Sequence, residues 1–339
     1  MTPVVSVIIV NYNTRDDTIE CVRSLYANTS SQVEVVIVDN GSHDGSVDAL
    51  GAALPDVTVI EAGANLGFAA GVNLGVSHSH APLVLLLNPD AIVLPGAIDE
   101  LLAFAHAHPE HRLYGGRTLR GDGSTDPSSC WGEMSLWSLA CFATGLSTLF
   151  KRSRVFDPES LGRWERDTVR EVPIITGCLL LISRADWDLL GGMDERFFLY
   201  GEDADFSARA RSAGMRPVVV PDATIIHHVG GSTASSGRKM SMVMAGKATV
   251  LRTGHRTRYA AGAIALLVAG AATRTLLERG AGRRGGTWAE VWGRRRQWRE
   301  GYPAAKPLLF GSPDTAPQRR VVPTRPVHHV TTQPVGGNQ

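Results

Sequence analysis

Acidic residues crowd one short stretch of the chain. GEDADFSARARSAG (201–214) puts Glu202, Asp203 and Asp205 in its first five residues, and Asp194 and Glu195 stand just upstream. A carboxylate held beside a hydroxyl can take its proton as a general base. The same acids could instead complement a helix dipole. Phe206, Ala210 and Ala213 share one helical face, and Gly214 is a stop signal. Other chemistry stands further off. Asp90 closes an apolar run, where a carboxylate can hold a divalent cation that neutralises a diphosphate. His227 or His228 closes another run and offers a nitrogen ligand. Histidine with carboxylate oxygens suits Mn²⁺ as well as Mg²⁺. Asp39, also at the end of an apolar run, is placed to accept from a base imide or a ribose hydroxyl.

The elements that must position these groups are legible in the first ninety residues. VVSVIIVNYN (4–13), VEVVIVDNGS (33–42), VTVIEA (57–62) and PLVLLLNPD (82–90) are apolar runs ending in polar residues. Helical segments separate them. One is capped by Thr14 and runs to about Tyr26, one runs from Ser46 to Leu54, and one lies within 65–79. Strands apolar on both faces, alternating with helices, predict an α/β fold: a mostly parallel sheet with helices on each side. Ligands of such sheets bind at the carboxyl ends of strands. Those ends carry Asn11, Tyr12 and Asn13; Asp39 and Asn40; Asn65 and Gly67; and Asn88 and Asp90. Each alone is an ordinary turn residue, but all lie on one edge.

Further along, 95–109 predicts a helix, and 117–128 a hairpin turning at Asp122–Gly123. Residues 129–171 read as irregular, 172–192 as strand, turn, strand and short helix, and 215–233 as late strands.

Bulk composition narrows the classes. The 339 residues carry a formal net charge of +1, which gives no case for nucleic acid. Four scattered cysteines form no CxxC pair. The opening MTPVVSVIIVNYN reads as a buried strand rather than a signal peptide, which makes a cytosolic compartment the default. No Walker A sequence occurs, and NYNTRD after the first strand is not GxGxxG, which argues against a nicotinamide-dinucleotide domain. The apolar run 260–272 is short of the roughly 20 residues a bilayer span needs. Arginines and Trp288, Trp292 and Trp298 follow it. That pattern suits either the surface of an anionic membrane, through 255–300, or a core helix followed by a solvated basic helix. Residues 311–339 read as a disordered tail.

Taken in order, VSVIIVNYN, VDNGSHDGS, NLGFAAGVNLG, LLLNPD, TGCLLLISR, GGMDERFFLYGEDADFSARARSAG and IIHHVGGS resemble family 2 glycosyltransferases of the rhamnosyltransferase-like branch, across about residues 4–235. The resemblance implies a GT-A fold over 1–240, with a nucleotide-sugar half to about 115 and an acceptor half from 116. A helical extension (241–310) follows. It implies an inverting, metal-assisted hexosyltransferase that uses Mg²⁺ or Mn²⁺. By position, Asn11, Tyr12, Asn13, Asp39, Asn65, Gly67, Asn73, Asn88 and Asp90 surround the nucleotide sugar. Asp90 is the metal carboxylate of a DxD-like element whose first position is Asn here. His227 or His228 completes the metal site. Gly177 and Cys178 lie beside the acceptor, Cys178 standing where this branch usually has Ala. Glu202 and Asp203 match the acidic pair that holds the base: Asp203 is the expected base and Glu202 an acceptor-binding or orienting group.

Processive synthases add membrane spans and a QxxRW motif. Arg296-Gln297-Trp298 has the wrong order and spacing, so a single sugar or a few are expected. The resemblance also implies a pyrimidine-nucleotide donor, UDP- or dTDP-linked, with dTDP-rhamnose first. The expected acceptor is a saccharide or polyprenyl-linked saccharide for a cell-surface glycan, reached from the cytoplasmic face of the plasma membrane. The rival expectation is a non-catalytic nucleotide-sugar or glycan-binding protein on the same fold.

Overall fold

The structure, a computed structural model, describes residues 2–227, 236–254, 257–283, 285–310 and 320–322. His228 lies outside the described residues, as does most of the expected tail.

The first half folds as its alternation predicts. Strands β1 (Val5–Asn11), β2 (Val33–Asp39), β3 (Thr58–Glu61) and β4 (Leu83–Leu87) are parallel neighbours in the order β3-β2-β1-β4. Helices α1 (Arg15–Asn28), α2 (Ser46–Ala53) and α3 (Phe68–Ser77) connect them. Register aligns the carboxyl ends: Asn11 lies opposite Asp39, and Asp39 opposite Glu61. All seven β1 residues are buried. Val5, Val7 and Ile9 pack with Cys21, Val22 and Leu25 of α1, while Ile8 and Val10 face Val72 and Val76 of α3 on the other side.

The second half makes the sheet mixed. β5 (Ala91–Val93) and α4 (Ala97–Ala107) lead to β6 (Leu113–Leu119) and β7 (Thr125–Asp126), the two legs of the predicted hairpin. β8 (Cys130–Trp131) pairs with β10 (Ile174–Ile175) in a separate ribbon, and β9 (Arg170–Glu171) pairs with the start of β12 (Val218–His227). β11 (Leu179–Ser183) runs antiparallel between β4 and β6. The late segment is one strand, β12, with a register shift between Val219 and Thr224.

Residues 129–171 are more ordered than their sequence suggests. They hold α5 (Leu136–Thr144) and the single-turn α6 (Leu146–Leu149). A reciprocal Ser135–Ser138 capping box starts α5. LWSLACFAT is apolar on almost every face, so no period marks it as a helix.

After α7 (Arg184–Leu190) and α8 (Glu202–Ser212), the chain builds α9 (Ser236–Thr253), α10 (Thr257–Gly280), α11 (Thr287–Gly293), α12 (Arg295–Trp298) and α13 (Ala305–Phe310). These helices are not a detached appendage. Met242, Met244, Ala248, Ile264, Leu267, Val291 and Trp298 form one core with Leu139, Phe197 and Phe198. The short apolar run proves to be part of a 24-residue helix. By length and composition α10 could cross a membrane, but 44% of its apolar window is buried against the protein. Trp298 is fully buried, and Trp288 and Trp292 pack against the same core. Of the two readings open for this segment, the packing of these tryptophans favours the core helix. Three residues of the tail, β13 (Arg320–Val322), add an antiparallel strand to the free backbone edge of β3.

One contact ties this third core to the acidic stretch. Tyr200 (φ 69°) and Gly201 (φ 100°) turn in the left-handed region before α8. Gly246 of α9 packs against that turn so closely that a Cβ there would lie 2.0 Å from the Tyr200 carbonyl oxygen. A Cβ on Gly201 would meet the Gly246 Cα at 2.9 Å. Gly246→Ala is therefore expected to cost about 3 kcal/mol of stability, read by urea unfolding. Gly262→Ala, where an added Cβ meets nothing within 4 Å, should leave stability unchanged or slightly raised.

Candidate active site

At the carboxyl ends of β1 and β2, Asn11 and Asp39 close adjacent strands and are both buried. Asn11 Nδ2 donates to Asp39 Oδ1 at 2.7 Å and to Ser42 Oγ at 3.1 Å. Its Oδ1 accepts from the Thr14 and Thr18 hydroxyls, both at 2.9 Å. Thr14 thus spends its hydroxyl on Asn11 rather than on capping α1. The Ser42 N–H donates to Asp39 Oδ2 at 3.0 Å. Asn11 thereby holds Asp39 fixed, and Asp39 is the carboxylate so oriented. Asn13, at φ 54°, bonds to the second loop: its N–H donates to Ser42 Oγ and its Oδ1 accepts from the His43 N–H. Tyr12 beside it is half-buried.

Asn65 and Gly67 are shaped from the second strand end. Asn40 Nδ2 donates to Asn65 Oδ1 and to the Gly67 carbonyl, and Asn40 Oδ1 accepts from the Leu66 N–H. Gly67 is required by contact: its Cβ would fall 2.4 Å from the Phe198 carbonyl oxygen. Asn73 is tied to the GGMDE loop. Its Nδ2 donates to the Met193 carbonyl at 2.8 Å and to Glu195 at 3.0 Å, and its Oδ1 accepts from the Met193 N–H. The amide is engaged in clamping α3 to the GGMDE loop.

The DxD-like element faces β12. His227 Nε2 lies 3.2 Å from Asp90 Oδ1 and 3.0 Å from Asn88 Nδ2. Behind the ring stands a residue the sequence did not single out. Asp126 Oδ2 is 3.7 Å from His227 Nδ1, a buried nitrogen without a hydrogen-bond partner among the described residues. Burial disfavours charge on His227, but Asp126 and Asp90 outweigh it and raise its pKa to about 9. Among the described residues no three His, Cys, Asp or Glu side chains converge as a metal cage. Asp90 and His227 do fit a half-site whose remaining positions belong to a ligand, with Asp126 as a carboxylate behind the imidazole.

The acidic pair opens α8. Glu202 is buried and Asp203 half-buried. Burial raises the Glu202 pKa, and the charge of Asp203 raises it further. Burial also raises Asp203, opposed by the nearby Gly177 N–H. The two carboxyls therefore titrate as a pair, both held above the ordinary carboxylate range by burial. Glu202 Oε2 and Asp203 Oδ1 are buried with no hydrogen-bond partner among the described residues. Gly177 touches the pair: a Cβ there would lie 3.3 Å from Asp203 Oδ1 and 2.8 Å from the Phe68 ring. Asp205 is turned away and pairs with Arg209 at 2.8 Å.

Cys178 joins the two halves. Its carbonyl accepts from the Asn88 N–H. Burial pushes its thiol up to about 12, with Asp203, Asp90 and Asp126 adding to the rise. All three carboxylates thus act on one buried sulfur, which places the acidic pair and the Asp90–His227 pair around it. Because both acids of the pair have raised folded-state values, the folded chain holds more protons than the unfolded chain between the ordinary carboxylate range and neutrality. Stability should therefore fall as pH rises through that window, and Glu202→Gln should flatten the fall, as read by urea titrations across pH.

The glycosyl transferase family 2 model matches residues 6–159, and that of the N-terminal domain of galactosyltransferase matches 167–230. An N-acetylglucosaminyl-diphospho-decaprenol L-rhamnosyltransferase of Mycobacterium tuberculosis is 33% identical over 247 residues, covering 69% of this chain and 78% of that protein. The low-salt glycan biosynthesis hexosyltransferase Agl10 of Haloferax volcanii is 30% identical over 210 residues, 61% of each chain. A mannosyltransferase from Pyrobaculum calidifontis, solved in complex with GDP-Man and Mn²⁺, superposes with a TM-score of 0.53 at 20% identity, covering 92% of this chain and 86% of that one. That likeness speaks to the fold. With the sequence relatives and the strand-end site, it makes the chain a member of glycosyltransferase family 2, rhamnosyltransferase-like in sequence and GT-A in fold.

Proposed function

We propose that the protein is an inverting hexosyltransferase that moves one sugar, rhamnose from dTDP-rhamnose in the first instance, to a hydroxyl of a lipid-linked saccharide. The relative that acts on a decaprenol-linked acceptor supports the donor and acceptor classes. The observation that carries the reading is the Glu202–Asp203 pair, whose Oε2 and Oδ1 atoms are buried with no hydrogen-bond partner among the described residues and whose proton affinity burial raises.

The chemistry follows from which group holds which proton. An acceptor hydroxyl beside Gly177 would supply the donor that Asp203 Oδ1 lacks. Asp203, ionised near neutrality, takes that proton as the oxygen attacks the anomeric carbon. Its raised pKa suits the task, since a base works best when its pKa lies near the working pH. Glu202, still protonated, donates to an acceptor oxygen and keeps the pair at a single charge. On the opposite side, Asp39 receives the base, oriented by Asn11 and Ser42. Asp90 and His227 would hold a Mg²⁺ or Mn²⁺ ion that neutralises the leaving diphosphate. We place the enzyme on the cytoplasmic face of the membrane that carries its acceptor.

Three expectations test the reading. Asp203→Asn should lower turnover about 10²–10⁴-fold while leaving donor affinity within about threefold, measured by nucleoside diphosphate release and by calorimetry. Near-normal turnover in that variant would refute the base. Asp90→Ala and His227→Ala should abolish the metal dependence of dTDP or UDP binding, whereas binding unchanged by EDTA in the parent protein would refute the half-site. Metal-dependent binding across a donor panel with no turnover in the presence of a lipid-linked acceptor would instead favour the non-catalytic reading.

A further inference from the structure

A cavity of about 720 Å³ lies away from the strand ends, lined by Arg152, Arg154, Arg163, Trp164, Thr168 and Arg170. Four arginines in one cavity are unusual in a chain whose charges nearly cancel. Arg152 pairs with Glu165 at 2.7 Å. Arg154, Arg163 and Arg170 have no carboxylate within ion-pair distance among the described residues, and Arg170 lies over the Trp164 ring, 4.8 Å from its centroid. Such a surplus of guanidinium groups fits a dianionic phosphate or a diphosphate.

The cavity is coupled to the acceptor side of the site. Arg166, fully buried behind it, donates to the carbonyls of Trp164 at 2.6 Å, Ser160 at 3.1 Å and Pro127 at 3.4 Å. The next two carbonyls, of Ser128 and Ser129, accept from Thr176 Oγ1 at 2.8 and 3.1 Å. Thr176 precedes Gly177, which touches Asp203. Hydrogen bonds to successive carbonyls thus link Arg166, beside Trp164 of the cavity, to Thr176, next to Gly177.

An apolar shelf flanks the same arginines. Trp137, Leu149, Phe150 and Val155 are 52%, 74%, 45% and 57% exposed. They bracket the Arg152–Arg154 turn: Trp137 Nε1 donates to the Val155 carbonyl, and Phe150 packs on Phe156 with ring centroids 5.0 Å apart. Large apolar side chains left in water beside unpaired cations mark an amphiphilic ligand.

We infer that the arginine cavity and the apolar shelf are one site for a prenyl diphosphate. The arginines take the diphosphate of the acceptor and the shelf takes its first prenyl carbons. The inference rests on the reading of the acceptor as lipid-linked. It moves the lipid contact from the segment of Trp288, Trp292 and Trp298, which pack on the helical core with Trp298 fully buried, to α5, α6 and the turn after them.

The test is calorimetric binding to the full chain in EDTA, which silences diphosphate binding at the metal half-site. The probes are farnesyl diphosphate, inorganic pyrophosphate, farnesol and anionic phospholipid vesicles. Farnesyl diphosphate should bind more tightly than either pyrophosphate or farnesol. Arg154→Gln/Arg163→Gln should weaken both phosphate probes about tenfold or more. Leu149→Ser/Phe150→Ser should weaken farnesyl diphosphate to the level of pyrophosphate and leave pyrophosphate unchanged. Equal affinity of parent and arginine variant, absence of binding, or vesicles that compete as well as farnesyl diphosphate would overturn the site. Donor turnover is read separately. Intact turnover with failed binding removes this site alone, and failed turnover with intact binding removes the transferase reading.

Discussion

The contact between the Tyr200–Gly201 turn and Gly246 governs the acidic end of the molecule. Two consecutive left-handed residues aim the first turn of α8 into the site, and α9 lies against them with no room for a side chain. Left-handed backbone at a tyrosine persists only where its surroundings enforce it. Here the enforcement comes from a core built by helices beyond the sheet, which also receives Phe197 and Phe198. The helical extension is thereby part of what buries Glu202. Burial is in turn the first cause of the raised affinity of that carboxyl for its proton. A packing contact between two glycines thus reaches the protonation state of the site.

Opposed environments give chemically similar groups different tasks. Asp39 is held by an amide and a backbone N–H, Asp90 and Asp126 face an imidazole, and Glu202 and Asp203 each have one oxygen without a donor among the described residues. The proposed roles follow that difference: the carboxylates with full partners would orient a ligand or hold a cation, and those without would keep or exchange protons. Cys178 marks the place where these environments meet, buried and within the influence of three of the acids.

Much of this was legible in the chain. Continuous apolar runs ending in Asn11, Asp39 and Asp90 announced parallel strands with polar carboxyl ends, because a strand buried on both faces leaves its mark in composition alone. The hairpin turn at Asp122–Gly123 was equally plain. Its cross-strand register was not, and that register places Asp126 opposite Thr118 and brings it behind His227. Asn73 lies in a motif, but the contact of its amide with Met193, 120 residues away, has no mark in the local sequence. Helix α5 escaped notice because its apolar residues show no period. The tryptophans after α10 left a membrane face and a core helix both open, since sequence records their type but not the direction they point.

The most direct test of the central claim, that Asp203 is a base whose pKa burial has raised, is the pH dependence of kcat/KM for sugar transfer. The account predicts a rise with pH whose midpoint lies near neutrality, well above the ordinary carboxylate range. The rise persists in Glu202→Gln and vanishes in Asp203→Asn. A midpoint at the ordinary aspartate value, or the same limb surviving in Asp203→Asn, would contradict it.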